Sequence, residues 1–158
     1  MPVSGNDMRD VMGRFATGVT VVTLFDDQKN PQGFTVNSLT SVSLDPPLIL
    51  VCVDHSAHIL RCFSDNNVFT VNILSEKQEE VSSQFASKLD DKFAGIAYEE
   101  GELGPPRIQW CLGYLECRII DKHLAGDHTI FIGRVEVTEM GPEEGKPLLF
   151  YTGKYARL

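Results

Sequence analysis

The chain opens with apolar side chains at helical spacing. Four of them follow Asp7 in the i, i+3, i+4, i+7 pattern: Met8, Val11, Met12 and Phe15. This spacing places them on one face of a helix, and aspartate is a favoured N-cap residue. We therefore predict a short amphipathic helix that begins after Asp7 and stops by Gly18.

Strand-forming segments then alternate with segments of turn residues. Residues 19–25 are β-branched and apolar, residues 26–33 form a turn cluster, and residues 34–42 return to strand-forming types. This order predicts a β-hairpin with a loose turn. Residues 45–47 read Asp-Pro-Pro, and proline has no backbone N–H to donate to a sheet. We therefore predict a break there, before a buried strand at residues 48–53.

The rest of the chain predicts more strands than helices. A short helix is expected over residues 56–65 and a mostly polar helix over residues 76–87. Strands are expected over residues 68–74, 108–120, 129–137 and 148–151. A turn at residues 121–127 separates the two longest strands. The expected fold is mainly β, a closed antiparallel barrel with a few short helices, because closure removes exposed strand edges.

Length and composition favour one globular domain. The 158 residues suit a single core and leave no room for a second domain of ordinary size, so we expect one domain over residues 1–158. The longest apolar stretch, residues 46–53, is far shorter than the roughly 20 residues of a membrane span. The N-terminus also lacks a signal-peptide pattern. We therefore expect no membrane association and a cytoplasmic location.

The net charge argues against nucleic-acid binding, and the spacing of the cysteines and histidines argues against a metal site. The formal net charge of −8 opposes the phosphate attraction that drives nucleic-acid binding, so we expect no nucleic acid. The cysteines lack CxxC spacing, and no carboxylate or thiol stands at ligand spacing beside the histidines. No metal site is predicted. Cys52 and Cys117 lie in apolar strand patterns, where a free cysteine is usually a small buried side chain.

Residues 33–47, GFTVNSLTSVSLDPP, are the most informative stretch. Six hydroxyl or amide side chains interrupt the alternation expected of a half-buried strand: Thr35, Asn37, Ser38, Thr40, Ser41 and Ser43. The pattern alone leaves two interpretations open. The segment has either an ordinary exposed polar face or a face that binds a polar ligand.

Further motifs accompany this stretch. They are GRFATGVTVVT at residues 13–23, FTVNIL at 69–74, DKFAG at 91–95, GDHTIFIGRV at 126–135 and GKY at 153–155. In this order, from about residue 7 to residue 158, the chain resembles the flavin reductase family, the small reductase components of two-component flavin monooxygenases. The resemblance implies a split β-barrel that is usually a homodimer. It also implies FMN or FAD near the subunit interface, and NADH or NADPH as hydride donor.

The resemblance assigns flavin contacts to two segments. Residues matching the strand that lines the isoalloxazine ring are Thr35, Val36, Asn37, Ser38 and Ser41. Residues matching the loop that contacts the ribityl chain and phosphate are Asp54, His55, Ser56, Ala57 and His58. Ser56 at a helix N-terminus would offer a hydroxyl and a backbone N–H to a phosphate. The alternative for Ser56 is a plain N-cap.

Basic and aromatic residues complete the implied site. Lys88 and Lys92 match basic positions around the DKF motif, where one of them would neutralise the phosphate; a surface lysine is the alternative for each. His128 matches a histidine that approaches the nicotinamide, where a neutral imidazole would hydrogen-bond the carboxamide without proton transfer. Residues matching a C-terminal segment near the same site, where an aromatic ring would stack on nicotinamide or flavin, are Tyr151, Lys154 and Tyr155.

These matches imply an NAD(P)H:flavin oxidoreductase. Hydride would pass from the reduced nicotinamide to the flavin, and the protein would supply geometry and exclusion of water. Reduced flavin would then serve a partner flavin-dependent oxygenase, or its electrons would pass to oxygen or ferric iron. Two rivals stay open, a non-enzymatic flavin-binding module and a pyridoxamine phosphate oxidase on a related barrel. The second should carry a basic phosphate cluster, which the sequence lacks.

Overall fold

The computed structural model describes residues 2–64 and 67–158. Its helices are α1, Gly5–Met12, and α2, Glu79–Phe85, with two 3₁₀ helices, His58–Cys62 and Glu76–Gln78. Its strands are β1, Thr17–Gly18; β2, Thr20–Phe25; β3, Pro31–Val36; β4, Leu39–Leu44; β5, Pro47–Asp54; β6, Val68–Ile73; β7, Tyr98–Gly101; β8, Gly104–Ile108; β9, Gly113–Ala125; β10, His128–Met140; β11, Leu149–Tyr151; and β12, Lys154–Ala156. The predicted class, mainly β with few helices, is confirmed.

One large antiparallel sheet organises the molecule. Its seven strands lie in the order β3-β2-β6-β9-β10-β5-β4. A smaller sheet joins β1, β11 and β12, and β7 pairs with β8 in a hairpin. The edge strands β3 and β4 are consecutive in the chain, and no ladder among the described residues joins them. The strand pairing therefore shows one long antiparallel sheet, and no ladder among the described residues closes it into the predicted barrel.

Aromatic side chains fill the two cores on either side of this sheet. Phe63 lies at the centre of one, with its ring centroid 4.6 Å from that of Phe131 and 5.8 Å from that of Phe34. Phe85 of α2 is fully buried in the other. A Cβ atom added to Gly33 of β3 would lie 2.7 Å from the Phe85 ring, so glycine is what allows α2 to approach this strand.

A buried ion pair attaches the β7–β8 hairpin to β9. Glu116, fully buried on β9, accepts the backbone N–H groups of Glu102 and Leu103 at 3.0 and 2.6 Å. It also pairs with the buried Arg107 of β8, which in turn pairs with Glu139 of β10. Both charges thus have partners despite their burial, as stable buried ions require.

The helix at the start of the chain begins earlier than predicted. Ser4 is its N-cap, and Ser4 and Asp7 form a capping box in which Asp7 is the third helical residue. The helix ends at Met12, with Gly13 as its C-cap. The predicted apolar stripe is exposed in the described chain, and its last member lies beyond the end of the helix: Met8, Val11, Met12 and Phe15. None of the described helices has the length and apolar character needed to cross a membrane.

Several predicted elements have different bounds. The predicted strand 34–42 is broken at residues 37–38, between β3 and β4. The predicted helix 56–65 is only the 3₁₀ helix His58–Cys62, and its expected end at Asp65 lies outside the described residues. The predicted turn 121–127 is too long, because residues 121–125 continue β9 as an exposed strand and only residues 126–127 form the turn. Strands β1, β7, β8 and β12 were not predicted, and the predicted strand 108–120 is interrupted at residues 109–112.

Candidate functional site

The ends of β5 and β10 bring predicted site residues together. Asp54, the last residue of β5, pairs in register with His128, the first residue of β10. The backbone N–H of His55 donates to the Asp127 carbonyl at 2.9 Å, and the His55 Nε2 lies 3.0 Å from the Thr129 hydroxyl. We call Asp54, His55, Ser56 and His128 the polar cluster.

A two-residue turn fixes His128 in this position. Gly126 and Asp127 connect the paired residues Ala125 and His128. Gly126 has a φ of +63°, a left-handed conformation that favours glycine and is typical of tight hairpin turns. The short turn leaves the start of β10 little freedom relative to the end of β9.

The ring of His128 is oriented by its neighbour. Its Nδ1 lies 2.6 Å from Oδ1 of Asp127. This hydrogen bond, together with the attraction of the imidazole, holds the pKa of Asp127 below its usual range. Because an ionised carboxylate can only accept, Nδ1 carries the proton in the neutral ring and Nε2 is left as an acceptor. Such an acceptor suits the N–H₂ group of a carboxamide.

The turn after β5 lacks the predicted helix N-terminus. Ala57, not Ser56, is the N-cap of the five-residue 3₁₀ helix that starts at His58. Ser56 donates its hydroxyl and its backbone N–H to Oδ1 of Asp54, each at 2.7 Å. These two bonds, the hydroxyl first, hold the pKa of Asp54 below its usual range. An anion that binds Ser56 must therefore displace the Asp54 carboxylate.

An apolar sheet face lies beside the polar cluster. Burial alternates along β5 and β10, so that Ile49, Val51 and Val53 are buried and the residues between them are half-buried. The half-buried residues form what we call the outer face: Leu48, Leu50, Cys52, Ile130 and Ile132. Across the two strands, Cys52 pairs with Ile130 and Leu50 with Ile132. The prediction that residues 48–53 are buried throughout is wrong for alternate positions.

The link between β3 and β4 borders the outer face. Asn37 and Ser38 are exposed, and the Ser38 hydroxyl donates to the Cys52 carbonyl at 3.2 Å. Ser41 is exposed on β4, opposite Ile49 of β5. Val36, by contrast, is buried in the core, so only its backbone can face a ligand.

Thr35 and Tyr155 do not border the outer face; both form hydrogen bonds with Ser82 of α2. The Thr35 hydroxyl donates to the carbonyl of Ser82 at 2.6 Å, and the Ser82 hydroxyl lies 2.7 Å from the Tyr155 hydroxyl. The Tyr155 ring packs edge-on against Phe150, with centroids 5.7 Å apart. The sequence does not single out Ser82, since it gives no reason to prefer Ser82 over the adjacent Ser83.

The remaining predicted residues make no contact with the polar cluster within the described part of the chain. Lys92 donates to the Phe85 carbonyl at 3.1 Å, and burial lowers the pKa of its ammonium. Lys88 is exposed in the same segment after α2. Tyr151 and Lys154 pair with each other across β11 and β12, and both are exposed.

Cysteine and metal chemistry have little support in this structure. Burial raises the pKa of Cys111 and of Cys117 to about 12, so neither forms a thiolate at neutral pH. In the described ranges, no group of three or more His, Cys, Asp or Glu residues is placed to hold a metal ion. Among the described residues, the outer face and the polar cluster are therefore the best candidate for a functional site.

Comparison with known proteins gives a consistent result. The flavin reductase like domain matches residues 12–158. The reductase subunit HsaB of a flavin-dependent monooxygenase from Mycobacterium tuberculosis is 42% identical over 148 residues, covering 93% of this chain and 79% of that protein. The NADH flavin reductase of Kitasatospora aureofaciens is 37% identical over 157 residues, covering 98% and 82%. A solved structure of the Streptomyces globisporus NADH:FAD oxidoreductase SgcE6, in complex with NAD and FAD fragments, is 38% identical with a TM-score of 0.90, covering 100% of this chain and 96% of that one. The chain belongs to the flavin reductase family.

Proposed function

We propose that the protein transfers hydride from NADH or NADPH to FMN or FAD and supplies the reduced flavin to a partner flavin-dependent oxygenase. The observation that carries this proposal is the outer face bordered by the polar cluster at the ends of β5 and β10. Similarity to a monooxygenase reductase subunit and to an NADH flavin reductase supports the same activity here. The activity also implies a cytoplasmic location, because reduced nicotinamide dinucleotides and oxygenase partners are available there.

The residues present fit an isoalloxazine ring. That ring needs an apolar wall for its face and hydrogen-bonding groups for its edge. Cys52 and Ile130 offer the wall, and the exposed Asn37 amide and Ser38 hydroxyl lie at its border. We therefore place the ring against residues 37–38 and Ser41, with the backbone of Val36 at its edge. Thr35 contributes through its bond to α2.

The loop after β5 and the two lysines are our candidates for holding the rest of the flavin. We place the ribityl chain and phosphate along Asp54, His55, Ser56, Ala57 and His58. Lys88 is the better candidate for neutralising the phosphate, because it is exposed whereas the Lys92 ammonium already donates to a carbonyl. Burial also lowers the pKa of the Lys92 ammonium.

Residues of this chain would orient the hydride donor. Bound flavin supplies the centre that accepts the hydride. The Nε2 of His128 accepts a hydrogen bond from the carboxamide, and Asp127 keeps the ring in the tautomer that makes this possible. The family resemblance assigns Tyr151, Lys154 and Tyr155 to the same region, with Tyr155 contributing its ring, since its hydroxyl is bonded to Ser82. No side chain needs to move a proton during hydride transfer.

The proposed assembly is one domain per chain, residues 1–158, paired as a homodimer. Each sheet curls into a split barrel whose edges β3 and β4 meet, which the packing of Val36 and Leu39 in one core supports. A second copy covers the outer face, whose five side chains are all apolar although they lie only half-buried on the side of the sheet away from the core. A flavin on this face would then be enclosed between the two subunits.

Stopped-flow absorbance at the flavin band tests the activity. The purified protein is mixed without oxygen with FMN and NADH, and we expect rapid bleaching that a protein-free mixture does not show. Exchanging FMN for FAD and NADH for NADPH gives the preferred pair. A solution that binds FMN and stays yellow would identify a non-enzymatic flavin-binding module instead.

The dimer has its own test in Ile132→Arg. A charged side chain on the outer face must be desolvated in the interface, so we expect light scattering to show twice the mass of one chain for the wild type and a single-chain mass for the variant. Met140→Arg is the matched control, because Met140 is exposed at the far end of the same strand. A wild type that is monomeric at micromolar concentration would rule out the dimer.

A further inference from the structure

We propose that Ser82 is a positioning residue of the flavin site. It joins the strand that leads into residues 37–38 to the C-terminal strand that carries Tyr155. The inference rests on the proposed function, since it assigns Ser82 a role in placing the segment that contacts the flavin ring.

Ser82 bonds to two different sheets from a single position. It is fully buried in the middle of α2. Its carbonyl accepts the Ala86 N–H at 3.0 Å, as in any helix, and also the Thr35 hydroxyl of β3 at 2.6 Å. Its own hydroxyl lies 2.7 Å from the Tyr155 hydroxyl of β12. The backbone carbonyl and the hydroxyl of Ser82 thus connect the large sheet to the small sheet.

The end of β3 is fixed on both sides. Thr35 is bonded to α2, and the next carbonyl, of Val36, accepts the buried hydroxyl of Thr20 from β2 at 2.8 Å. Gly33 lies directly beneath the Phe85 ring with no space for a side chain. Because such an interior is closely packed, a shift of α2 must move β3 with it. Residues 37–38 follow at once, so their position depends on that of α2.

The bond to Tyr155 determines where α2 itself lies. Tyr155 packs on Phe150 of β11, and Phe150 pairs with Thr17 of β1, so the tyrosine belongs to a connected small sheet. The only other polar contact between α2 and the end of the chain in the described residues is the exposed ion pair of Arg157 and Glu79, at 3.4 Å. An exposed pair contributes little, whereas a half-buried hydroxyl that loses its partner is costly.

The test compares Ser82→Ala, Tyr155→Phe and the double variant by titration with FMN. Each single variant removes the same hydrogen bond from one side, and Tyr155→Phe keeps the aromatic ring. We expect each to raise the dissociation constant of FMN about threefold. The double variant should bind no more weakly than either single variant, because the bond can be lost only once. The KM for FMN should rise by a larger factor than kcat falls.

The measurement separates positioning from stability. All variants are titrated well below their unfolding temperatures, where a loss of global stability does not change the dissociation constant. Ser83→Ala is the matched control, since Ser83 is the next residue of the same helix and is exposed; it should bind FMN like the wild type. If Ser82→Ala fails to fold, Tyr155→Phe makes the same prediction without altering α2.

The outcomes distinguish this inference from the proposed function. A folded Ser82→Ala or Tyr155→Phe variant with wild-type FMN affinity overturns the inference alone. Effects that add in the double variant also overturn it, because they would arise from independent contacts. A wild type that binds neither FMN nor FAD overturns both.

Discussion

Replacing Glu116 by alanine should lower the free energy of unfolding by about 3–5 kcal/mol. The carboxylate is fully buried and serves two backbone N–H groups as well as Arg107. Its removal leaves those donors without an acceptor and a buried guanidinium with less compensation. Urea denaturation followed by circular dichroism measures the difference, and a lower midpoint with an unchanged slope indicates a stability loss.

Glu136→Ala is the matched control for this variant. Glu136 also pairs with two arginines, Arg118 at 3.0 Å and Arg134 at 2.9 Å, but the pairs lie at the surface. Its loss should cost about 1 kcal/mol or less. Glu116→Gln, which keeps an acceptor oxygen, should fall between the two. If Glu116→Ala were no less stable than Glu136→Ala, the buried pair would not hold the β7–β8 hairpin.

His128→Ala should weaken the use of nicotinamide and spare the flavin. The proposed loss is one neutral hydrogen bond to the carboxamide, worth about 0.5–1.5 kcal/mol, or roughly threefold to tenfold in kcat/KM for NADH. Misalignment of the donor would add to this by slowing hydride transfer. Steady-state kinetics with varied NADH and an FMN titration measure the two ligands separately.

His123→Ala is the control for this second variant. His123 is exposed, whereas His128 is half-buried, and it is likewise paired with a carboxylate, Asp121 at 3.1 Å, but it lies outside the polar cluster. The His123→Ala variant should have the same kcat/KM for NADH and the same affinity for FMN as the wild type. If His128→Ala lost FMN while its turnover per bound flavin stayed normal, His128 would belong to the flavin pocket, and the nicotinamide assignment would be wrong.

Strand positions were predictable because their signal is local. Runs of β-branched and apolar residues identified β2 and β6 nearly to the residue. The start of α1 was not predictable in the same way, since Ser4 and Asp7 both cap helices well and only the capping box assigns their roles. Strand β5 shows a further limit. When every residue from Leu48 to Val53 is apolar, the sequence cannot tell which alternate positions face the core.

The site was only partly predictable, because most of it depends on long-range pairing. The register that places Asp54 against His128 joins strands far apart in the chain, and family resemblance suggested their proximity where periodicity could not. Thr35, Ser82 and Tyr155 come from three separate segments, and no local pattern relates them. Ser56 was misassigned for a simpler reason. A serine before apolar residues resembles an N-cap, but here its donors turn back to Asp54.

The small sheet affects how the protein matures during translation. Its strand β1 pairs with β11, through Thr17 with Phe150 and Gly18 with Leu149. A ribosome adds about 5–20 residues each second, so β1 exists for on the order of ten seconds before β11 is made. During that time β1 has no partner strand, and the large sheet stays incomplete until β10, which ends only at Met140, joins β9 to β5. The bond between Ser82 and Tyr155 is therefore among the last to form, and the nascent chain completes its large sheet and its mature flavin site in close succession.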